Sequence, residues 1–117
     1  MNETVCDLTD RHCVPCEGGV PPIEGDEARA MMGQLDEGWV LNEAATEITR
    51  RLEFKGFAKA VYHANLAAWL ADQEGHHPDI RFGWGYCEIS FTTHAIGGLS
   101  ENDFICAAKL DRLLATG

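Results

Sequence analysis

Glu74-Gly75-His76-His77-Pro78-Asp79 and, a few residues on, Tyr86-Cys87-Glu88-Ile89-Ser90-Phe91-Thr92-Thr93 decide the fold. A helix has to stop in the first segment. Gly75 readily adopts the left-handed backbone conformation that closes a helix, and Pro78 has no N–H with which to extend one. In the second segment Cys87, Ile89 and Phe91 alternate with Glu88, Ser90 and Thr92. That period of two belongs to a strand with one buried face. Residues 80–82 are expected to form a short partner strand, with Gly83-Trp84-Gly85 as the hairpin turn. By the same parity His94 falls on the polar face or at the strand's mouth, away from the helix-packed core.

The rest of the chain builds outward from this hairpin. Residues 56–74 are rich in alanine, have no Pro, and hold no Gly beyond the opening Gly56, a strong helical signal. Phe57, Val61, Ala64 and Ala68 form its expected apolar stripe, widened by Leu66, Trp69 and Leu70. Ala60, Ala64, Ala67 and Ala71 offer a small-residue face on which a neighbour can pack closely. Upstream, residues 46–54 alternate, with Ile48, Leu52 and Phe54 on one face and Arg50 as the exception. They pair as a hairpin with residues 39–41. Residues 26–36 read as a short amphipathic helix through Ala28, Met31, Met32 and Leu35, with Gly38 after it as a stop. Downstream, Ser100 and Asp103 form an S-x-x-D capping pattern that opens a helix over 100–114. Cys106, Ala107, Leu110, Leu113 and Leu114 are its core stripe. Phe104 and Ile105 lie partly off that stripe and are expected at a second contact, between subunits.

These elements sum to an α+β fold: a four-stranded, mainly antiparallel sheet of two hairpins with helices packed on one face. Residues 26–117 read as a single domain. Residues 1–25, punctuated by Pro15, Pro21, Pro22 and several glycines, read as an extended N-terminal arm.

Composition excludes several functions. A net charge of −10 repels phosphate backbones, so no nucleic-acid partner is expected. No apolar run approaches the roughly 18 residues that span a bilayer, so no membrane partner is expected. No basic segment followed by an apolar one opens the chain, which argues against a secretory signal. Five cysteines, with Cys87 and Cys106 inside apolar patterns, suit free thiols in a reducing cytoplasm. Cys13-x-x-Cys16 supplies two ligands where a structural zinc takes four, and neither His12 nor Cys6 completes a standard spacing. The Gly18-Gly19-Val20-Pro21-Pro22 run cannot start the helix a thioredoxin-like motif requires. Two metal-free thiols on a surface arm is the preferred reading.

The chemistry sits with the histidines. An imidazole titrates near about 6.5 and can give or take a proton at neutral pH. His76 and His77, with His94 at the end of a strand that returns beside them, suit a reaction that protonates one atom and deprotonates another. Dehydration of an alcohol adjacent to an amine nitrogen is such a reaction, and it requires no metal or redox cofactor. The plain alternatives are a helix-capping role for His76 or His77, a surface position for His94, and a purely capping Asp103. His63 and His12 read as structural or solvated. A metal site of His76, His77, His94 and Asp103 ranks lower, because adjacent residues on an extended segment point apart. A third alternative is a non-catalytic dimerisation or binding module. Its self-association surface would combine the small-residue helix face with Phe104 and Ile105.

Glu74-Gly75-His76-His77-Pro78-Asp79-Ile80, Trp84-Gly85, Thr93-His94, Gly97-Gly98-Leu99 and Glu101-Asn102-Asp103-Phe104 closely resemble the pterin-4a-carbinolamine dehydratase family. Cys13-x-x-Cys16-Glu17-Gly18-Gly19 with Pro21-Pro22 is similar to the arm of its bacterial members. The resemblance runs from Cys13 onward. It implies a lyase that dehydrates 4a-hydroxytetrahydrobiopterin to the quinonoid dihydropterin, regenerating the cofactor of aromatic amino-acid hydroxylases. It also implies a homodimer or homotetramer. By the same resemblance His76, His77 and His94 are the pterin-site histidines, and Trp84, Asp103 and Pro78 are supporting substrate contacts. Animal members also serve as a dimerisation cofactor for a homeodomain transcription factor, a role the bacterial-type arm argues against.

Overall fold

The alternating stretch lies inside the sheet. In the computed structural model, which describes residues 8–11, 13 and 21–116, it forms β4 (Tyr86–Phe91). This strand runs between β2 (Ile48–Glu53) and β3 (Asp79–Gly83), and β1 (Trp39–Leu41) lies on the far side of β2. The order is β1-β2-β4-β3, and every neighbouring pair is antiparallel. The two expected hairpins are therefore joined through β2 and β4. Ile48 faces Phe91, Arg50 faces Ile89 and Leu52 faces Cys87. Directly opposed residues share a face, so these pairs make one apolar layer, with Cys87, Ile89 and Phe91 all buried as their alternation requires. The opposite face is polar. There Arg81 and Arg51 flank Glu88, and the Arg81 guanidinium beside Glu88 holds its carboxyl below the usual carboxylate range.

Among the described residues three α-helices accompany the sheet: α1 (Gly25–Met32), α2 (Ala58–Glu74) and α3 (Glu101–Thr116). The first is shorter than its periodicity suggests. It stops at Met32, and the N–H groups of Gln34 and Leu35 then bond to the carbonyls of Met31 and Met32 in tighter turns. Among the described residues no helix is long and apolar enough to cross a membrane.

The second helix is rotated relative to the expected stripe. Ala60, Ala64, Ala67, Leu70 and Ala71 are its buried residues, whereas Phe57 is 52% exposed and Ala68 is also exposed. Large side chains already fill this part of the core from β4 and α3, including Ile89, Phe91, Phe104 and Ile105. In an interior packed at crystal density, the helix that lies against them must present small residues. The alanine face is consequently internal. It is not available to a second subunit.

Phe104 and Ile105 are likewise buried, at 0% and 1% exposure, which overturns their expected place at a subunit contact. The first half of α3 is covered all round, from Asn102 to Ala108. One covering element was not visible in the periodicity: the short 3₁₀ turn Leu8–Asp10, whose Leu8 enters the core at 1% exposure. Arg11 pairs with Glu101, and the Ile23 N–H bonds to the Leu99 carbonyl at 2.8 Å. The described part of the N-terminal segment thus lies against α3. His12, Cys16 and Cys6 fall outside the described residues.

Arg50, the exception in the alternation of β2, has a definite job. It faces the helices, with its side chain 15% exposed, and its guanidinium meets the Asp111 carboxylate of α3. The same carboxylate accepts the Trp39 indole N–H at 2.7 Å and the Asp36 backbone N–H at 2.8 Å. One side chain of α3 therefore holds β1, β2 and the loop after α1. Removing it leaves the largely buried Arg50 with only the more distant Asp36 carboxylate, at 3.6 Å, and the indole N–H without its acceptor, a change of about 3 kcal/mol. Asp111→Ala is expected to lower the unfolding free energy by that amount in chemical denaturation. Gly75, at φ +68°, closes α2 with open space where a Cβ would sit. Gly75→Ala is expected to cost about 1 kcal/mol from backbone strain alone in the same measurement.

Candidate active site

The histidine pair is placed by the way α2 ends. Gly75 adopts the left-handed conformation, its N–H bonds to the Asp72 carbonyl, and the His76 N–H reaches back to the Ala71 carbonyl at 3.1 Å. This pair of bonds is a Schellman closure. It turns the chain off the helix axis, so that His76 and His77 leave on a short extended link before Pro78 and β3. The third histidine arrives from β4. That strand ends at Phe91, Thr93 bridges to Gly98, and His94 opens a 3₁₀ turn, His94–Ile96, closed by Gly97 at φ +67°.

His76, His77 and His94 line a single cleft of about 280 Å³ together with Gly75, Thr92, Thr93 and Ala95. A second depression of about 300 Å³ adjoins it, shares Thr92 and His94, and adds Asn42, Thr46, Glu47 and Gly97. His94 is exposed, as strand parity requires, while Thr93, on the other parity, is buried. A larger depression of about 470 Å³ lies between the start of α1 and the β1–β2 turn, but it holds none of the histidines.

The three imidazoles differ in environment. His77 is 65% exposed, with Asp72 at 3.6 Å from its Nε2. His76 is 13% exposed and lies parallel to the Phe91 ring, with centroids 6.2 Å apart. Its Nε2 is 2.6 Å from Oδ1 of Asp103, which is fully buried. A carboxylate only accepts, so Nε2 carries the proton and a neutral ring keeps Nδ1 as an acceptor.

Asp103 serves two elements at once. Its Oδ2 accepts the Ser100 backbone N–H at 2.9 Å and the Thr93 hydroxyl at 2.8 Å, while its own N–H bonds to the Ser100 carbonyl. The carboxylate-to-N–H bond is one half of a capping box, so the expected cap is present. The other half is redirected. Ser100 Oγ pairs with Thr93 Oγ1 at 2.8 Å. The cap and the histidine support are thus the same carboxylate.

Among the remaining expected site residues, Pro78 follows His77 and is not part of the cleft lining. Trp84 is 71% exposed in the tight β3–β4 turn. At about 3.3 Å per residue, the length of β4 separates it from the cleft at the strand's opposite end. Thr93 and Thr92 were not singled out from the sequence. The parity that places Cys87, Ile89 and Phe91 inward extends to Thr93 and was the available signal. Among the described residues, no group of three His, Cys, Asp or Glu side chains is placed to hold a metal ion. His63 is structural: its Nδ1 donates to the Lys59 carbonyl at 2.7 Å, and its ring stacks on Phe54.

Comparison with known proteins bears on the whole of this architecture. A relative from Nitrosomonas eutropha is 53% identical over 94% of this chain and 96% of its own. One from Methylococcus capsulatus is 47% identical over 94% of this chain and 96% of its own. Both carry names that provisionally assign them as pterin-4-alpha-carbinolamine dehydratases. A crystal structure from Brucella melitensis, described as a transcriptional coactivator/pterin dehydratase, superposes with a TM-score of 0.70 at 26% identity, covering 79% of this chain and 97% of that one. A pterin dehydratase-like protein described as a RuBisCO assembly factor shares the fold, with a TM-score of 0.54 at 24% identity over 66% of this chain and 89% of its own. Residues 21–113, nearly all of the sheet and its helices, match the family described as pterin 4 alpha carbinolamine dehydratase, and the chain belongs to that family.

Proposed function

We propose that the protein dehydrates a pterin-4a-carbinolamine, 4a-hydroxytetrahydrobiopterin or a close analogue, to the quinonoid dihydropterin and water. The observation that carries this reading is the meeting of His76, His77 and His94 around one cleft in a chain of this family. The reaction breaks the C–OH bond, delivers a proton to the departing hydroxyl and takes one from a ring N–H. It therefore needs one proton donor and one acceptor on the same ligand.

The environments divide the labour. His77 and His94 are the exposed rings, free to meet the ligand and to exchange protons with solvent between turnovers. His76, held by Asp103 on one nitrogen and lying along Phe91, is a fixed partner that orients the ligand. Thr92 and Thr93 line the same cleft, and in the adjoining depression Asn42 Nδ2 donates to Thr46 Oγ1 at 2.9 Å, which leaves the Thr46 hydroxyl proton to be donated to a polar heterocycle. Pro78 contributes by fixing the exit of the His76-His77 link. A contact from Trp84 would have to come from a second copy of the chain, which suits the homodimer or homotetramer the family resemblance implies.

A non-catalytic interaction role is the second reading. It is favoured by the outer face of α2, where Tyr62 and Trp69, seven positions apart, are 59% and 56% exposed. Self-association that persists with no pterin turnover would select it.

Two sets of variants test the catalytic reading in a coupled assay of carbinolamine dehydration. His77→Ala and His94→Ala are each expected to lower kcat by about 10²-fold or more, the range for loss of an acid–base group. Unchanged rates in both would reject the assignment. Asp103→Asn removes the charged acceptor while keeping the side chain's shape. It is expected to slow turnover about tenfold and also to lower the thermal midpoint, because one carboxylate supports both His76 and the start of α3.

A further inference from the structure

Cys13 of the N-terminal segment and Cys106 of α3 bring their sulfurs to 3.6 Å, although 93 positions separate them in the chain. Both ends of this contact are anchored. The Cys13 N–H donates to Glu74 Oε1 at 3.0 Å, and Glu74 is itself bound to Lys109 of α3 at 2.7 Å. Cys106 stands one helical turn beyond Asp103, and its sulfur lies 3.8 Å from the His76 carbonyl. The two thiols differ in access: Cys13 is half-buried and Cys106 is fully buried.

We propose that Cys13 and Cys106 form a reversible disulfide that ties the N-terminal segment to α3 beside His76, with a small-molecule disulfide as the oxidant. Oxidation would bring these sulfurs from 3.6 Å to a bond of about 2.05 Å. Access sets the order of events. Cys13 gives its proton to solvent and its thiolate attacks one sulfur of the small disulfide, which breaks the S–S bond and releases the first thiolate, protonated in turn from solvent. Cys106 then gives up its proton, and its sulfur attacks the Cys13 sulfur. The mixed disulfide breaks, and the second thiolate leaves with that proton. Two protein thiols are oxidised by two electrons in all, and one small disulfide is reduced to two thiols. Before this, the hydrogen bond with Cys13, and then burial, push the Cys106 thiol far above the usual thiol range. The proposal does not rest on the dehydratase reading.

The test uses the full chain, equilibrated with oxidised glutathione, alkylated and digested without reductant. Because Cys16 shares a tryptic peptide with Cys13, the Cys16→Ser protein is the main sample. The expected product is the peptide of residues 12–29 joined to that of residues 82–109, absent after dithiothreitol and absent from Cys106→Ala. The oxidised Cys16→Ser protein should also melt roughly 5 °C or more above its reduced form, a shift missing in the Cys13→Ser, Cys16→Ser protein. Glutathione retained on Cys13 while Cys106 stays reduced would overturn the proposal. So would a wild-type protein in which Cys13 pairs only with Cys16, or a link that survives in Cys106→Ala and so runs through Cys87.

Discussion

A carboxylate with no exposure to solvent must be surrounded by donors, since an unpaired buried charge would outweigh most of a small domain's stability. Asp103 meets that demand by drawing three chain segments to one point. The start of α3 supplies the Ser100 N–H, the end of β4 supplies the Thr93 hydroxyl, and the exit of α2 supplies the His76 imidazole. Each donor comes from an element boundary, where backbone and side-chain groups lack regular partners. The helix N-terminus adds a favourable field for negative charge. Satisfying one buried group thereby fixes how α2, β4 and α3 meet, and the cleft lies at that junction.

The same solution separates one held imidazole from two exposed ones. His76 is held from one side by Asp103 and lies along the Phe91 ring, so its orientation is set before any ligand arrives. His77 and His94, on either rim, are exposed. In the proposed dehydration, which asks a site both to position a heterocycle and to trade protons with water, having both kinds of imidazole is an advantage. Asp111 plays the corresponding role toward the other end of α3, gathering Arg50, Trp39 and the Asp36 backbone. Two carboxylates of one helix thus dock it onto the sheet, one toward the histidine cleft and one toward the β1–β2 edge.

Packing explains where periodicity misled. The stripe through Phe57, Val61, Ala64 and Ala68 carries the larger apolar side chains at the start of α2, yet the structure buries Ala60, Ala64, Ala67 and Ala71, with Leu70 as the one large residue among them. Apolarity of a helix face says nothing of the room available opposite it. Once Phe91, Phe104 and Ile105 occupy the interior, small side chains are what remain compatible. Phe104 and Ile105 look surplus on a helical wheel because a wheel assumes one buried face. Leu8 supplies another, from a short 3₁₀ turn outside the strand and helix periodicities.

Local sequence was sufficient for everything that depends on neighbours along the chain. The Gly75–Pro78 stop, the alternation of β4, the Ser100–Asp103 cap and the histidine family signature are all short-range signals, and they set the α+β class, the two hairpins and the candidate histidines. Tertiary structure alone decided which strands meet at the centre of the sheet, which face of α2 turns inward, why Arg50 is buried, and that Asp103 grips His76 as well as capping its own helix. It also set Trp84 apart from the cleft and brought Cys13 to Cys106. Each of these is a contact between residues distant in sequence. Such contacts are selected by the shared demand to fill volume and to pair buried charge, which no single segment expresses by itself.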